Sequence, residues 1–281
     1  MNLEIAGIRI QISSAKTELP DTPYMQLVSE MFSPDDELIP DISIDYVGKE
    51  SASDLPFSSG DIRYKISGSV YSVKTASSCI VCDATNKSTR ISIHNSEFLF
   101  MADRLVMEAV KFALSFEVNR RGGLICHGAG LKSADDHGVL ISAVSGTGKT
   151  TTARLMKPFA NILNDECCAI LPDANGSTWH LFSTPFTAHE KLLDCTKDSA
   201  KLSAIFLLCQ SDKTKAADLP TKDKLFRLME AVQIFPADDA LFQSSFDACE
   251  NLVRQVPVWE LFSDMNTGLL KEILFCQQAK P

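Results

Sequence analysis

The sequence predicts an α/β fold with a mixed β-sheet, preceded by a smaller β-rich domain. Residues 1–97 contain short segments in which apolar and polar residues alternate, which is typical of strands. Near Phe98 the apolar spacing changes to that of an amphipathic helix. Farther along, strand-like runs at 158–171 and 178–182 are joined by a short turn into an antiparallel hairpin, which a purely parallel sheet would lack. We therefore assign one domain to residues 1–97 and a second to residues 98–281.

The first domain consists mainly of strand patterns and carries no catalytic signature. A polar segment with Pro20 and Pro23 follows the first strand, and the residues from Glu50 to Asp61 are expected to form a loop. The expected strands are 3–12, which fits a strand or a hairpin, 41–47, 62–66, 70–74, 79–83 and 90–93. Three roles remain open for this domain: docking, homo-oligomerisation and presentation of a substrate.

The second domain mixes helical and strand-like segments. It begins with an amphipathic helix of about twenty residues, which ends at Arg120–Gly123, where glycine suits a helix C-terminus. The further expected strands are 124–131, one that begins at Val139, 158–171, 178–182, 202–209 and 256–262. The further expected helices are one that ends at Met156, 223–235, 242–253 and 267–276, and polar loops are expected at 132–138, 183–190 and 213–218.

A glycine-containing loop joins the strand from Val139 to the helix that ends at Met156. Ala143-x-x-x-x-Gly148-Lys149-Thr150 fits the phosphate-loop (Walker A) pattern G-x-x-x-x-G-K-[ST], with alanine at the first glycine position. Glycines let backbone N–H groups curl around phosphate oxygens, and the helix N-terminus adds the positive end of its dipole. We call residues 143–150 the phosphate loop. The residues expected to bind a nucleotide are Ser145, Gly146, Thr147, Gly148, Lys149, Thr150 and Thr151.

A glycine turn that binds nothing would contain the same residues, but the order of strand, loop and helix favours a phosphate site. Lys149 can reach the outer phosphates as a point charge, and the Thr150 hydroxyl can hold Mg²⁺.

Two adjacent acids, Asp165 and Glu166, lie in the otherwise apolar run 158–171. Charges inside such a run are costly unless they are paired or bind a metal. Mg²⁺ held by Thr150 would need carboxylate oxygen from elsewhere in the fold, so the sequence predicts a metal site formed by Thr150, Asp165 and Glu166. The alternative is a strand end that turns both acids to solvent.

His127 lies in the strand-like run 124–131, which the turn at 132–138 joins to the strand of the phosphate loop. The two strands are therefore expected to be neighbours, with His127 near the loop. On pattern alone, a lone histidine is more often a core residue than a functional one. The polar segment 183–190 follows the hairpin and is expected to reach the same site.

Composition excludes several classes of protein. The net charge is −9 and no basic cluster is visible, which argues against nucleic acid or an anionic membrane as a partner. The N-terminus shows no signal peptide pattern, and no apolar run approaches the ~18 residues of a transmembrane helix. The nine cysteines are scattered, and the sequence has a single C-x-x-C motif, Cys79 and Cys82. The motif is better explained as two residues of a strand than as a metal site. A reducing cytoplasm is the expected compartment.

Five segments of the second domain, in this order, resemble the C-terminal catalytic domain of HPr kinase/phosphorylase. They are Cys126-His127-Gly128, the Ser-Gly-Thr-Gly-Lys-Thr loop, Leu163-Asn-Asp165-Glu166, Ala204-Ile-Phe-Leu-Leu and Val256-Pro-Val-Trp-Glu-Leu. The sequence is more similar still to the HPr-kinase-related proteins of the phosphoenolpyruvate-carboxykinase-like superfamily, over about residues 98–276. The resemblance implies a phosphoenolpyruvate-carboxykinase-like nucleotide-binding core. The first domain resembles no family in this way.

The resemblance implies ATP-dependent and Mg²⁺-dependent phosphorylation of a hydroxyl group. In HPr kinases the phosphate loop is followed by two adjacent aspartates, one a catalytic base and the other associated with the metal. Asp165 and Glu166 match these positions, so Asp165 is implied as the base, and the reverse assignment stays open. His127 matches the histidine ahead of the phosphate-loop strand and is implied as a second catalytic residue.

One departure from the family concerns the acceptor. The Glu-Ile-Arg-Gly-type signature of genuine HPr kinases is missing after the hairpin, where Thr184-Pro185-Phe186 resembles the Thr-Pro-aromatic loop of the related proteins. HPr is therefore not the expected substrate. Related kinases act on free serine or on peptide hydroxyls, and the acceptor classes left open are free serine, a peptide and a small protein.

Two other functions compete with a kinase. A nucleotide-sensing accessory protein would bind ATP or GTP and signal through the first domain, and a small-molecule-binding protein would hold only a phosphate group in the loop. A sensor has no need of a base, whereas a kinase needs one beside the acceptor hydroxyl. The presence of Lys149, Thr150 and the acidic pair together favours catalysis.

Overall fold

The described part of the chain contains two mixed β-sheets, one in each of two compact units. The computed structural model describes residues 1–14, 18–34, 39–49, 63–74, 78–83, 85–93, 102–143, 146–187, 192, 194–233 and 239–276. The mixed α/β class predicted from the sequence is confirmed. The compact units are Met1–Glu117 and Val118–Pro281, whereas the division at 97/98 and the phosphoenolpyruvate-carboxykinase-like core remain predictions.

The sheet of the first unit has seven strands. They are β1 (Asn2–Ile5), β2 (Ile8–Ser13), β3 (Ile42–Lys49), β4 (Arg63–Ser67), β5 (Val70–Lys74), β6 (Ser78–Asp83) and β7 (Ser88–Ile93). Their order in the sheet is β1-β2-β3-β7-β6-β5-β4. The pairs β2–β3 and β3–β7 are parallel, and the other neighbours are antiparallel.

The first two strands form a tight hairpin, as the alternation at 3–12 allows. Ala6 and Gly7 both have positive φ, 53° and 68°, which is the backbone of the type I′ turns that suit two-residue hairpins. The inward side chains are at most 1% exposed and are Leu3, Ile5, Ile8, Ile10 and Ile12. Burial of this apolar set fixes the register, because a slip of one residue would turn all of them to the other face.

Helix α1 (Pro23–Phe32) lies in the polar segment that contains Pro20 and Pro23, where no helix was predicted. The Thr22 hydroxyl accepts a hydrogen bond from the backbone N–H of Met25 at 3.3 Å, and proline stands at the first helical position, where no N–H is needed. The residues of its buried face are Tyr24, Met25, Val28 and Phe32. The capping residue followed by proline was the helix signal in the sequence.

The second unit carries the remaining strands and most of the helices. Helix α2 (Ala102–Arg120) contains the division between the units. The strands are β8 (Leu124–Ser133), β9 (His137–Ser142), β10 (Ala160–Asn164), β11 (Cys167–Pro172), β12 (Trp179–Phe182), β13 (Ser199–Gln210), β14 (Lys215–Ala217) and β15 (Val258–Ser263). The helices are α3 (Lys149–Met156), α4 (Thr221–Met229), α5 (Asp239–Gln255) and α6 (Thr267–Lys271), and a π-helical turn, Glu272–Cys276, follows α6.

The strand pairings of this sheet place β8 and β9 side by side, as expected. β8 pairs antiparallel with β9 along one edge. Along its other edge, the first half of β8 pairs with β11 and the second half with β10, both antiparallel. β11 continues through the expected antiparallel hairpin to β12, which pairs with β13. Since β13 also pairs with β9, the strands β8, β9, β13, β12 and β11 form a closed ring of pairings.

Three parallel strands, β9, β13 and β15, bring their carboxyl ends to one edge of the sheet. The phosphate loop follows β9, and the turn at Asp264–Asn266 follows β15 at that same edge. Crevices at the carboxyl ends of strands are the usual ligand sites of α/β sheets. The apolar faces of the strands pack against α5, whose Cys249 and Leu252 are fully buried.

Several predicted boundaries need correction. The acidic strand predicted at 158–171 is two strands, β10 and β11, with a break at the acids. The helix predicted at 223–235 ends at Met229, because Val232 forms a β-bridge with Cys126 instead. The predicted loop 213–218 contains the short strand β14, which pairs with β15. Among the described helices, none is both long enough and apolar enough to cross a membrane.

Candidate functional site

The phosphate loop has the backbone that its glycines allow. Gly146 and Gly148 have φ of 82° and 103°, in the left-handed region where a side chain would be strained. Gly148 is the N-cap of α3, so the first helical N–H groups follow the loop directly. A Cβ atom at Gly148 would also lie 2.6 Å from Cε of Met265, so this position accepts only glycine without rearrangement.

Lys149 is the first residue of α3 and is held close to its own loop. Its side chain is buried, and its Nζ donates a hydrogen bond to the carbonyl oxygen of Ala143 at 2.6 Å. The Thr152 hydroxyl, one turn later, donates to the carbonyl oxygen of Gly148 at 3.0 Å. The lysine charge is therefore positioned at the loop by contacts within the loop itself.

Asp165 and Glu166 lie in a turn between β10 and β11, and we call residues 164–167 the acid turn. Asn164 is fully buried, and its Oδ1 accepts hydrogen bonds from the backbone N–H groups of Glu166 at 2.6 Å and Cys167 at 2.7 Å. Its Nδ2 donates to the carbonyl oxygen of Thr184 at 2.7 Å. The expectation that both acids lie within a strand is therefore wrong, because the Asn164 side chain satisfies the turn's N–H groups and interrupts the strand.

The phosphate loop and the acid turn meet at one open cavity of about 330 Å³, a size within the range of ligand sites. The lining residues are His127, Gly146, Gly148, Lys149, Thr150, Thr151, Asp165 and Glu166. Asp165 is 6% exposed and Glu166 is half-buried. The structure thus brings one lysine, two carboxylates, a histidine and two hydroxyl groups to a single space.

Two of the predicted site residues are not placed in this lining. Thr147 belongs to the phosphate loop and is half-buried, but it is not among the described residues that line the cavity. Ser145 lies outside the described residues.

His127 is exposed at the cavity and is not a core residue. It lies on β8 directly opposite Cys167 of β11, which places it next to the acid turn. Its backbone N–H donates to the carbonyl oxygen of Ala231 at 2.7 Å, and its carbonyl oxygen accepts from the Ser142 hydroxyl at 3.2 Å. The backbone is fixed on both sides, while the imidazole faces the cavity.

Thr187 of the segment 183–190, which was expected to reach this site, contacts it, and so do two residues that the sequence did not indicate. The Thr187 hydroxyl donates to Asp165 Oδ1 at 3.2 Å. Gln210, at the end of β13, donates from Nε2 to the carbonyl oxygen of Gly146 at 3.4 Å. Met265, after β15, has a positive φ of 65°, and its Sδ lies 3.7 Å from the Thr152 hydroxyl oxygen. The contacts of Gln210 and Met265 do not lie within a local motif, so no sequence pattern marked them.

The oxygen donors at the cavity fit a magnesium ion better than a transition metal. Thr150, Asp165 and Glu166 offer a hydroxyl and two carboxylates, and Mg²⁺ is commonly bound by one or two carboxylates together with substrate phosphates. No group of three His, Cys, Asp or Glu side chains among the described residues is placed to hold a metal by itself. Thr150, Asp165 and Glu166 are therefore the residues that could contribute ligands to a metal at this cavity.

The cysteines around the site are poor nucleophiles. Burial raises the pKa of Cys126 and of Cys168 well above the usual thiol range. Burial, and secondarily the charge of Asp165, raises the pKa of Cys195 to about 12. Because the thiolate is the reactive form, these residues are protonated and inert at neutral pH. Cys79 and Cys82 are buried residues of β6 in the first unit, as strand residues would be.

Comparison with known proteins gives likenesses to solved structures and one family. The chain is similar to the Hpr(Ser) kinase/phosphatase from Coxiella burnetii, with 13% sequence identity and a TM-score of 0.31, over 53% of this chain and 92% of that chain. No curated protein sequence matches the chain. The family model described as SynChlorMet cassette protein ScmC matches residues 92–273, which is more than half of the 281 residues. The chain therefore belongs to the ScmC family of SynChlorMet cassette proteins.

Proposed function

We propose that the chain is a Mg²⁺-dependent kinase that transfers the γ-phosphoryl group of ATP to a hydroxyl group of a serine-type acceptor. The observation that carries this proposal is the joint placement of Lys149 and Asp165 at one cavity. Phosphoryl transfer requires mainly positioning of the phosphates, neutralisation of their charge and a base for the acceptor hydroxyl. A phosphate loop and an acid at the same cavity supply these requirements together.

The nucleotide phosphates would bind to the phosphate loop. Gly146 and Gly148 let the backbone turn its N–H groups toward an anion, and α3 begins directly after them. The Lys149 ammonium has three N–H donors, so it can keep its bond to Ala143 and still donate to a phosphate oxygen. The hydroxyls of Thr150 and Thr151 line the same space.

Thr150, Asp165 and Glu166 would hold the Mg²⁺ ion together with phosphate oxygens. When bound, the ion neutralises charge on the outer phosphates as a Lewis acid. Glu166 is the more exposed of the two acids and its carboxylate has the longer reach, which favours a metal role for it.

Asp165 would act as the base. Its Oδ1 already accepts a hydrogen bond from a hydroxyl group, that of Thr187, as a base must do with its acceptor. The acid turn holds the Asp165 backbone through Asn164, so the carboxylate approaches the acceptor from a fixed position. His127, exposed in the same cavity, would donate a hydrogen bond to the transferred phosphoryl group.

The acceptor is proposed as a hydroxyl on free serine, a peptide or a small protein. Membership of a family of cassette proteins favours an acceptor encoded in the same gene cassette. The composition, with its net charge of −9, disfavours an acidic polymer such as nucleic acid.

A kinase and a nucleotide sensor differ in what happens to the ATP. Chromatography of the nucleotide pool after incubation with Mg²⁺ and a mixture of hydroxyl acceptors would distinguish them. A kinase converts ATP to ADP in proportion to the acceptor supplied, and Lys149→Ala and Asp165→Asn both slow the conversion strongly. Intact ATP throughout, together with a nucleotide-dependent change in binding to a protein partner, would establish the sensor instead.

A further inference from the structure

The Thr187 hydroxyl is hydrogen-bonded to Asp165, the residue proposed as the base. The hydroxyl donates its proton toward Oδ1 of Asp165 across 3.2 Å. A general base must lie within about 2.6–3.2 Å of the oxygen whose proton it removes. The chain itself therefore presents a threonine hydroxyl to the residue that we assign as the base.

The loop that carries Thr187 is anchored to the acid turn. Thr184 is fully buried, its hydroxyl donates to the carbonyl oxygen of Cys167, and its own carbonyl oxygen accepts from Asn164 Nδ2 at 2.7 Å. Phe186 is buried beside it. The Thr187 N–H donates to the carbonyl oxygen of Pro185 at 2.9 Å, which curls the backbone back on itself. Because these contacts join the loop to Asn164 and Cys167, the distance from Thr187 to Asp165 is set by the fold.

Thr187 differs from its neighbours Thr184 and Thr196 in the acceptor of its hydroxyl hydrogen bond. Thr184 is buried and donates to a carbonyl oxygen. Thr196 is exposed, but its hydroxyl donates to the carbonyl oxygen of Ile162 at 3.4 Å. A carbonyl oxygen cannot take a proton at neutral pH, whereas a carboxylate can. Exposure alone would select Thr196 for modification, and the contact with the acid selects Thr187.

We propose that Thr187 is a phosphorylation site of the chain itself, modified in cis by ATP bound at the phosphate loop; this inference rests on the proposed kinase function. The bond between the γ-phosphorus and the β–γ bridging oxygen breaks, and a bond from the γ-phosphorus to Thr187 Oγ1 forms. The hydroxyl proton passes to the Asp165 carboxylate, and the bridging oxygen leaves with ADP. The product is a phosphothreonine next to the acid turn.

The test is phosphopeptide mapping of the full chain after incubation with Mg²⁺ and radiolabelled ATP in the absence of any added acceptor. We expect the label at Thr187, at a rate per molecule that does not change with protein concentration. Asp165→Asn should slow the labelling by about two to four orders of magnitude. Thr187→Ser keeps the hydroxyl and should keep the label, whereas Thr187→Val should lose it. The matched control Thr196→Val should be labelled like the wild type.

Three results would overturn this inference alone, and a fourth would also remove the kinase proposal. The first is label at a residue other than Thr187, and the second is a labelling rate that rises with protein concentration, which indicates transfer between molecules. The third is an unlabelled chain that nevertheless phosphorylates an added hydroxyl acceptor in a Lys149-dependent reaction. That third result would leave the kinase function standing, whereas an unlabelled chain that leaves ATP intact with every acceptor would remove both proposals.

Discussion

The phosphate loop and the acid turn line the same cavity but are held in place differently. The loop depends on backbone: two glycines of positive φ and the start of α3 orient N–H groups, and Lys149 bonds to a carbonyl oxygen within the loop itself. The acid turn depends on side chains, because Asn164 bonds two N–H groups beside it and the carbonyl oxygen of Thr184, twenty residues later. Binding of phosphate and the chemistry at the acids should therefore be separable by mutation.

The largest expected effect separates chemistry from binding. Asp165→Asn keeps the shape and hydrogen bonding of the side chain but removes its charge, so turnover should fall by about two to four orders of magnitude. The affinity for ATP, measured by calorimetry, should stay nearly unchanged because the phosphate loop is intact. Asp247→Asn, which neutralises an exposed acid of α5, is the control and should turn over normally. If Asp165→Asn turns over at the wild-type rate, the base lies elsewhere, with Glu166 as the next candidate.

The second effect concerns the phosphate loop and changes the affinity for ATP. Lys149→Ala removes a charge-assisted contact to phosphate and should weaken ATP binding by about 1.5–3 kcal/mol. Lys157→Ala, at the end of the same helix, removes an exposed lysine that pairs with Asp194 and should bind ATP like the wild type. Equal ATP affinity in the wild type and Lys149→Ala, measured by calorimetry, would contradict nucleotide binding at this loop.

The third effect tests whether a side chain builds the acid turn. Asn164→Ala leaves the N–H groups of Glu166 and Cys167 without their acceptor, and an unsatisfied buried group costs about 1–3 kcal/mol in the free energy of unfolding. Urea denaturation measures this loss. Asn161→Ala, an exposed asparagine of the same strand, is the control and should be close to neutral. Equal stability of the two variants would mean that the turn forms without Asn164.

The smallest effect is the Mg²⁺ dependence of stabilisation by ATP, which involves both the phosphate loop and the acid turn. If Thr150 and the acids hold Mg²⁺ against the phosphates, ATP should stabilise the fold more with Mg²⁺ than with EDTA. A tenfold difference in ATP affinity corresponds to about 1.4 kcal/mol. Glu166→Gln should reduce the difference in thermal shift. Identical shifts with and without the metal in the wild-type protein would exclude these residues as a metal site.

The contrast between the phosphate loop and the acid turn also explains how far the sequence could predict the structure. The strand, loop and helix around Lys149 follow from neighbouring residues, and the hairpin after Pro172 follows from turn residues and alternation, so both were visible. The break at Asp165 was not, because it depends on a buried asparagine whose partner, Thr184, lies far along the chain. An apolar run with two acids fits one strand or two equally well.

The missed contacts of the site have a related cause. Met265 reaches Thr152 across 113 residues, and Gln210 reaches Gly146 across 64. Such pairs depend on which strands become neighbours in the sheet, which the periodicity of each strand does not specify. Helix α1 was a different kind of miss, since Thr22 and Pro23 are a local start signal that the polar composition of the segment concealed.

One measurement tests the central proposal most directly: the fate of the radiolabelled γ-phosphate of ATP when the full chain is incubated with Mg²⁺ and a panel of free serine, serine-containing peptides and a generic HPr. We expect label to appear on a hydroxyl of at least one acceptor, and to disappear with Lys149→Ala and with Asp165→Asn. The contradictory result is a wild-type chain that binds ATP, and binds it more tightly than Lys149→Ala does, yet labels no hydroxyl in the panel or in itself. That result would rule out the proposed kinase function.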